Sequence, residues 1–223
     1  PLDILIDHGI FTDIRTAIAG QICAKNFSNK IKRIGVIGTG TQAKLQVEYL
    51  KNITESRDVM VWGRDDKKMD QYKQHMEKIG FEVTFCKSPH EVASECNLII
   101  TATASKDYVL SNDDILEGTH INAIGSDTPS KRELGPGIIE KADLVIADSI
   151  EQCKYRGEIA CSIRDGNLKL DNVVELGDVL SGKISGRESK SQITVSDLTG
   201  VAVQDIKIAD SVFKKFMEDK NEI

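Results

Sequence analysis

No stretch of this sequence is apolar for long. Residues 97–104, "NLIITATA", are among its longest uncharged runs, far short of the roughly 20 residues that a membrane-spanning helix needs. The N-terminus also lacks the basic-then-apolar layout of a signal peptide. No membrane partner is therefore expected, and the expected location is cytoplasmic. Positive charge is in short supply too: 29 Lys plus Arg stand against 35 Asp plus Glu, a net charge of -6. Such a balance offers no general field for nucleic acid or for an anionic membrane, so any anion site must be local. The five cysteines form no C-x-x-C pair, and the four histidines are scattered without metal-ligand spacing. Neither a disulfide framework nor a metal site is expected. There is no low-complexity tract and no internal repeat. The chain opens at Pro1 rather than at methionine, as a fragment or a processed form would.

What the sequence does have is alternation. "RIGVIG" precedes the helix-like "TQAKLQVEYLKNI", "DVMVWG" precedes "RDDKKMDQYKQHMEKIG", and "FEVTFC" precedes "SPHEVASEC"; "NLIITAT" follows, then "THINAIG" and "DLVIADS". Short apolar strands separated by helix-length segments imply β-α-β units around a parallel sheet buried on both faces. The expected fold class is therefore α/β: a doubly wound, Rossmann-type sheet of about six strands between Lys32 and Asp148, with flanking N- and C-terminal helices. Gly80 reads as a helix C-terminal cap, and Ser88, Pro89 and Glu91 as N-cap, first helical residue and capping-box partner. "TDIRTAIAGQICAKNF" reads as an amphipathic helix with Thr12 or Asp13 near its start, and "GVAVQDIKIADSVFKKFMEDK" as another. Residues 177–200 between sheet and last helix read as mostly loop with one strand at "QITVSD".

Gly38, Gly40 and Ala43 fit G-x-G-x-x-A directly after a strand and at the mouth of a helix. The first glycine permits the tight turn, the second lets a pyrophosphate reach the backbone, and the small third residue lets helix pack on strand. The helix N-terminus adds free N–H groups and a positive dipole end. Gly38, Thr39, Gly40, Thr41 and Gln42 are thus expected to contact a dinucleotide, the alternative being glycines that merely turn the chain. After the second strand, Gly63 and Arg64 stand where an acidic residue would favour NAD(H). A small residue followed by a guanidinium suits the 2′-phosphate of NADP(H), which is favoured over NAD(H). The alternatives are a solvated arginine and a ribose contact by Asp65 or Asp66.

Four segments in order, "FTDIRTAIAG", "IGVIGTGTQAKLQ", "GTHINAIGSDTPSKREL" and "ITVSDLTGVAVQD", give a chain that resembles the ornithine cyclodeaminase and mu-crystallin family. The resemblance implies hydride transfer at a carbon bearing nitrogen, with a small amino acid or cyclic imine as partner. It implies ornithine cyclisation to proline with ammonia loss, amino-acid oxidation or ketimine reduction; the alternative is a crystallin-like NADP binder without turnover. It places Arg15 beside the cofactor phosphates and Thr103, Asn122, Ala123, Ile124 and Gly125 along the nicotinamide side. Lys131 becomes a cofactor contact. Leu198, Thr199 and Gly200 become a segment closing over nicotinamide and substrate, the last two on the substrate side. Asp127 matches the family's acid/base, a general acid/base task; from its own context, before Thr-Pro, it reads as a turn former.

Family members carry a substrate-side and dimerisation domain ahead of the "RTA" helix, which this sequence does not include. Residues 1–30 are accordingly expected to link to that domain, 31–150 to form the dinucleotide-binding domain, and 151–223 to close over the cofactor and pack back on the N-terminal region. A homodimer is expected when the N-terminal domain is present.

Overall fold

A computed structural model describes residues 5–168, 170 and 173–221. Among them, eight parallel strands form one sheet: β1 (Ile34–Ile37), β2 (Asp58–Trp62), β3 (Glu82–Phe85), β4 (Leu98–Thr101), β5 (His120–Ala123), β6 (Leu144–Ala147), β7 (Val173–Glu175) and β8 (Thr194–Asp197). Their order across the sheet is β3-β2-β1-β4-β5-β8-β6-β7. The first six lie where the apolar runs placed them.

Strand pleating divides the core into two layers, because alternate side chains point to opposite faces. Ile34, Val36, Val59, Val61, Leu98 and Ile100 face one way. They pack under α1 (Ile10–Phe27), α2 (Thr41–Leu50) and α3 (Asp66–Lys78). Met60, Ile99, Ile121, Val145 and Val195 face the other way, toward α4 (Pro89–Glu95), α5 (Ile138–Lys141), α6 (Ile150–Cys153) and α7 (Gly157–Arg164). Burying each such side chain contributes about 1.5–3 kcal/mol. Two further α-helices, α8 (Leu176–Leu180) and α9 (Ala202–Asn221), and a 3-10 turn at Asn112–Asp114 complete the described elements. None of the helices among the described residues is long and apolar enough to cross a membrane.

Local signals mostly behave as expected. Gly80 has φ +88°, the left-handed conformation of a helix C-cap. Ser88 Oγ accepts from the Glu91 N–H at 3.3 Å, with Pro89 at the first helical position. The Glu91 carboxylate, however, reaches the N–H of Lys87 at 2.7 Å, one residue beyond the cap. The first helix begins at Ile10, before Thr12 and Asp13, because Asp7 accepts the Phe11 N–H at 2.7 Å and supplies the cap from upstream.

The sheet does not end at residue 150. β8 lies between β5 and β6, with His120 opposite Thr194 and Leu144 opposite the same residue on the other side, and β7 forms the edge beyond β6. The division expected at 150 does not coincide with an edge of the sheet, since β7 and β8 beyond it lie in the same sheet as β1 to β6. Polar residues in β8 concealed its central place. Thr194, Ser196 and Asp197 are all buried, and Thr194 is held in a polar seam in which His120 Nδ1 lies 2.8 Å from its hydroxyl and Arg187 donates to it at 2.8 Å. Burial pushes the His120 pKa down to about 3, so the ring is neutral there. α9 packs back on α1, where Arg15 pairs with Asp205 at 3.0 Å and donates to Gln204 at 3.0 Å.

Candidate active site

In the strand order β2-β1-β4, the chain winds outward from β1 in both directions, and the loops at the carboxyl ends of β1 and β4 diverge. Open α/β sheets bind ligands at such a switch point. A cavity of about 580 Å³ lies there, lined by loops following β1, β2, β4 and β5.

Its floor is the turn after β1. Gly38 has φ +118°, and a Cβ there would run into the carbonyl of Ala102 on the neighbouring loop; both conformation and contact require glycine. Gly40 differs: its backbone is extended, and nothing lies within 4 Å of the place a Cβ would take. That space is what an anion approaching the α2 N-terminus would fill. α2 has no side-chain cap and no acidic residue in its first turn, so its first N–H groups and positive dipole end are left to a ligand. Gln42 also turns its amide to Asp13, at 3.1 Å from the carbonyl and 3.0 Å from Oδ1, tying α2 to α1. A dinucleotide pyrophosphate fits this cradle.

Trp62, Gly63, Arg64, Asp65 and Lys68 form the wall after β2. The Asp65 carboxylate accepts the Lys68 N–H at 3.1 Å as the cap of α3, and is thereby engaged. Arg64 and Lys68 make no ion pair among the described residues. The opposite wall carries Thr103, Ile124, Gly125, Asp127 and Lys131. Thr103 Oγ1 also accepts the Ser105 N–H at 3.2 Å, the local loop cap that its position suggests. Asp127 is half-exposed, and its Oδ1 takes the Lys131 ammonium at 2.6 Å. The turn itself is closed by Lys131 N–H on the Thr128 carbonyl at 3.2 Å, so the Asp127 carboxylate is not what makes it.

Eleven of the residues singled out from sequence thus line one cavity: Gly38, Thr39, Gly40, Thr41, Gln42, Arg64, Thr103, Ile124, Gly125, Asp127 and Lys131. Six others lie outside its lining. Arg15 is engaged by α9 and faces a second cavity, of about 520 Å³, between α1, α8 and α9. Asn122 points under the sheet, donating to the Gly20 carbonyl at 2.9 Å and accepting from the ring of His120. Ala123 and Leu198 are core residues. Thr199 and Gly200 follow β8, where Asp148 accepts the Thr199 hydroxyl at 3.0 Å and the Gly200 N–H at 2.7 Å.

Sequence reasoning passed over Trp62, Lys68 and Ser105 in the lining, and a set of buried carboxylates beneath it. Glu133, Glu158 and Asp197 are each almost wholly buried. Glu133 accepts from the Thr101 hydroxyl (2.7 Å) and from the N–H groups of Thr103 (2.6 Å) and Gly125 (2.8 Å). Glu158 accepts the N–H groups of Glu133 (2.7 Å) and Leu134 (3.0 Å), and Asp197 that of Ile159 (2.9 Å). Burial pushes all three carboxyl pKa values up, against the hydrogen bonds that favour the charge; Glu158 reaches about 7, with the charge of Glu133 adding to burial. Asp148 shifts upward as well, again chiefly through burial. Among the described residues, no group of three or more His, Cys, Asp or Glu side chains is arranged to hold a metal.

The fold and cavity define a protein built to bind an anion-bearing ligand at the switch point of a parallel sheet. Residues 2–220 match the ornithine cyclodeaminase/mu-crystallin family, and the chain belongs to it. Alanine dehydrogenase of Archaeoglobus fulgidus is 37% identical over 212 residues, covering 94% of this chain and 65% of that one. Among solved structures, an archaeal alanine dehydrogenase dimer with bound NAD matches with a TM-score of 0.89 at 34% identity, covering 95% of this chain and 66% of that one. Thermococcus litoralis Δ1-pyrroline-2-carboxylate reductase, in complex with NADH and L-proline, matches with a TM-score of 0.90 at 26% identity and the same two coverages. The chain therefore spans about two thirds of the length of these relatives.

Proposed function

We propose that this chain is the dinucleotide-binding part of an NAD(P)-dependent enzyme that transfers hydride at a carbon bearing nitrogen, in an amino acid or a cyclic imine. The observation that carries this reading is the pairing, across one cavity, of an open glycine cradle at an uncapped helix N-terminus with an acid, Asp127, on the opposite wall. The alanine dehydrogenases and the Δ1-pyrroline-2-carboxylate reductase named above are enzymes of such compounds, which supports turnover over a binder without it.

When bound, the nicotinamide supplies the hydride chemistry; the chain supplies position and protons. Gly40 and the first N–H groups of α2 receive the pyrophosphate. Gly63 and Arg64 would hold the adenosine half of the bound dinucleotide, and Thr103 and Gly125 the nicotinamide half. Asp127 moves the proton on and off the substrate nitrogen as C–N double-bond character changes, and Lys131, 2.6 Å away, orients its carboxylate. We further propose NADP(H) over NAD(H): Arg64 and Lys68 make no ion pair among the described residues and line the β2 wall while Asp65 is held by α3, although the two structural relatives contain NAD and NADH. The full protein is proposed to be a cytoplasmic homodimer, with residues 1–30 joining this chain to the portion that completes the substrate site.

Trp62, the only tryptophan in the sequence, lines the cavity. Titrating NADPH or NADH should therefore quench its emission with energy transfer to the dihydronicotinamide; unchanged emission with both would refute the reading. In the full protein, turnover is assayed with alanine, ornithine and pyrroline or piperideine carboxylates, following nicotinamide absorbance and proline together. Asp127→Asn should lower that turnover by about a hundredfold or more with cofactor affinity kept, the scale of general acid/base catalysis. Wild-type turnover would move the proton shuttle elsewhere.

A further inference from the structure

Glu133 is fully buried and does not line the cavity, yet three of the cavity's supports end on its carboxylate. Oε1 takes the Thr103 N–H, and Oε2 takes both the Thr101 hydroxyl and the Gly125 N–H. The loops after β4 and β5 meet closely here, since a Cβ on Gly125 would strike the Thr103 carbonyl and the Glu133 carboxylate. Its main chain extends the tie. The Glu133 carbonyl accepts the N–H groups of Val109 (2.8 Å) and Leu110 (3.2 Å), and its own N–H is held by Glu158. Two residues before it stands Lys131, the partner of Asp127.

We propose that Glu133 is a positioning residue that fixes the nicotinamide-side wall, setting Thr103 and Gly125 in place through hydrogen bonds to their backbone and, through the adjoining loop, the Asp127–Lys131 pair. This rests on the dinucleotide reading given above. A buried carboxylate is an expensive way to fill a core, where an apolar side chain of similar volume is often as stabilising. What only a carboxylate offers at this point is two acceptor oxygens with no donor, matched to three converging donors. Glutamine shows the difference. It replaces one acceptor with an NH2 group, so whichever way the amide turns, either Thr103 or Gly125 has its N–H facing another donor.

The test compares two ligands in the wild type and in Glu133→Gln. ADP-ribose reaches only the glycine cradle and the β2 wall, whereas NADPH and NADH extend to the β4–β5 wall. Trp62 emission reports the dinucleotides, and calorimetry reports ADP-ribose. Glu133→Gln should leave ADP-ribose affinity within about twofold while weakening both dihydronicotinamide dinucleotides by about tenfold or more, the scale of one lost hydrogen bond with a stranded N–H. Amide hydrogen exchange should quicken at residues 102–105 and 124–127 and stay unchanged at 41–50. Equal losses for ADP-ribose and the dinucleotides would overturn the proposal in favour of general destabilisation, as would unchanged affinity for all of them. A wild type that binds neither ligand class would instead overturn the dinucleotide reading and this proposal with it. If Glu133→Gln does not fold, Thr101→Val is read in its place. It removes one of the three donors and should cost severalfold in dinucleotide affinity alone, and no selective loss would overturn the proposal.

Discussion

Strands β3, β2, β1 and β4 are joined by helices of ten, thirteen and seven residues that return directly to the sheet. Strands β5, β8, β6 and β7 are joined by longer, irregular connections with helices of four, four, eight and five residues. In the first group, Ile34, Val36, Val59, Val61, Leu98 and Ile100 are fully buried and the core is apolar. The second group holds Glu133, Glu158 and Asp197, the carboxylates buried among the described residues. The difference follows from where backbone N–H groups find acceptors. A helix satisfies its own, whereas an irregular loop must be given partners when it is buried. Here those partners are carboxylates, and the loops they hold carry Thr103, Gly125 and Asp127. Under the function proposed above, the first half is a regular scaffold for the pyrophosphate, and the second a tied set of loops for the chemistry.

Removing a tie tests this most severely. Glu158→Ala strands the N–H groups of Glu133 and Leu134, each at a cost of about 1–3 kcal/mol. Urea unfolding should show that loss, with exchange quickening around residues 126–134 and not in α2 or α3. A uniform change across the sheet would dissolve the distinction between the halves. Next in size is a change confined to the first half. At Gly40→Val the new Cβ has no atom within 4 Å and the backbone is already extended, so the thermal midpoint should hold while affinity for either dinucleotide falls by about a hundredfold or more through loss of the pyrophosphate approach.

Acidity separates the halves further. Burial raises the carboxyl pKa of Glu158 to about 7 from an ordinary 4.5, and Glu133, Asp148 and Asp197 move the same way. At Glu158 the folded state therefore holds more protons than the unfolded one between those values, so this group's contribution to stability is present below about 4.5 and is lost as pH rises through about 7, by up to about 1.4 kcal/mol per pH unit, while His120, held neutral in the fold, contributes with the opposite sign below its ordinary 6.5. Urea unfolding of the wild type and of Glu158→Gln at pH 5, 6, 7 and 8 isolates the Glu158 contribution, and the stability of the wild type relative to the variant should fall across that interval. A wild-type stability that rises relative to the variant over that interval would contradict the burial of Glu158. The smallest effect expected is at the adenosine end. Arg64→Ala should weaken NADPH by about 1–2 kcal/mol, one charge-assisted bond, and leave NADH unchanged; equal losses would remove Arg64 from 2′-phosphate recognition.

The first half was readable in the sequence because its physics is periodic. Apolar runs at "IGVI", "DVMVW" and "LIIT" mark strands buried on both faces, and Gly38, Ser88, Pro89 and Gly80 punctuate them. The cavity was readable for the same reason, since its floor and β2 wall follow directly from strand ends. In the second half the signals fail for identifiable causes. β8 is polar at Thr194, Ser196 and Asp197 yet central, with His120 and Arg187 bonded to Thr194 and the buried Ile159 N–H bonded to Asp197. Glu133 and Glu158 look like ordinary surface charges until the donors that surround them, distant in sequence, are brought together. Arg15 and Thr199 depend on contacts with Asp205 and Asp148, which lie far away along the chain.

The placement of β8 also bears on how the molecule comes to be folded. β5 and β6 do not touch in the sheet; each pairs with β8, and the paired residues His120 and Thr194 are 74 apart in sequence. Strands β1 to β5 can assemble from contacts between neighbouring β-α-β units as soon as they are made. β6 and β7 have no place to dock until residues 194–197 arrive to bridge them to β5. Contacts of such long range are slow to form, because the intervening loop must be closed before any pairing rewards it. On a ribosome the pyrophosphate floor would be in place while the sheet edge at β5 still stood open, and β8 would enter as the keystone that shuts it.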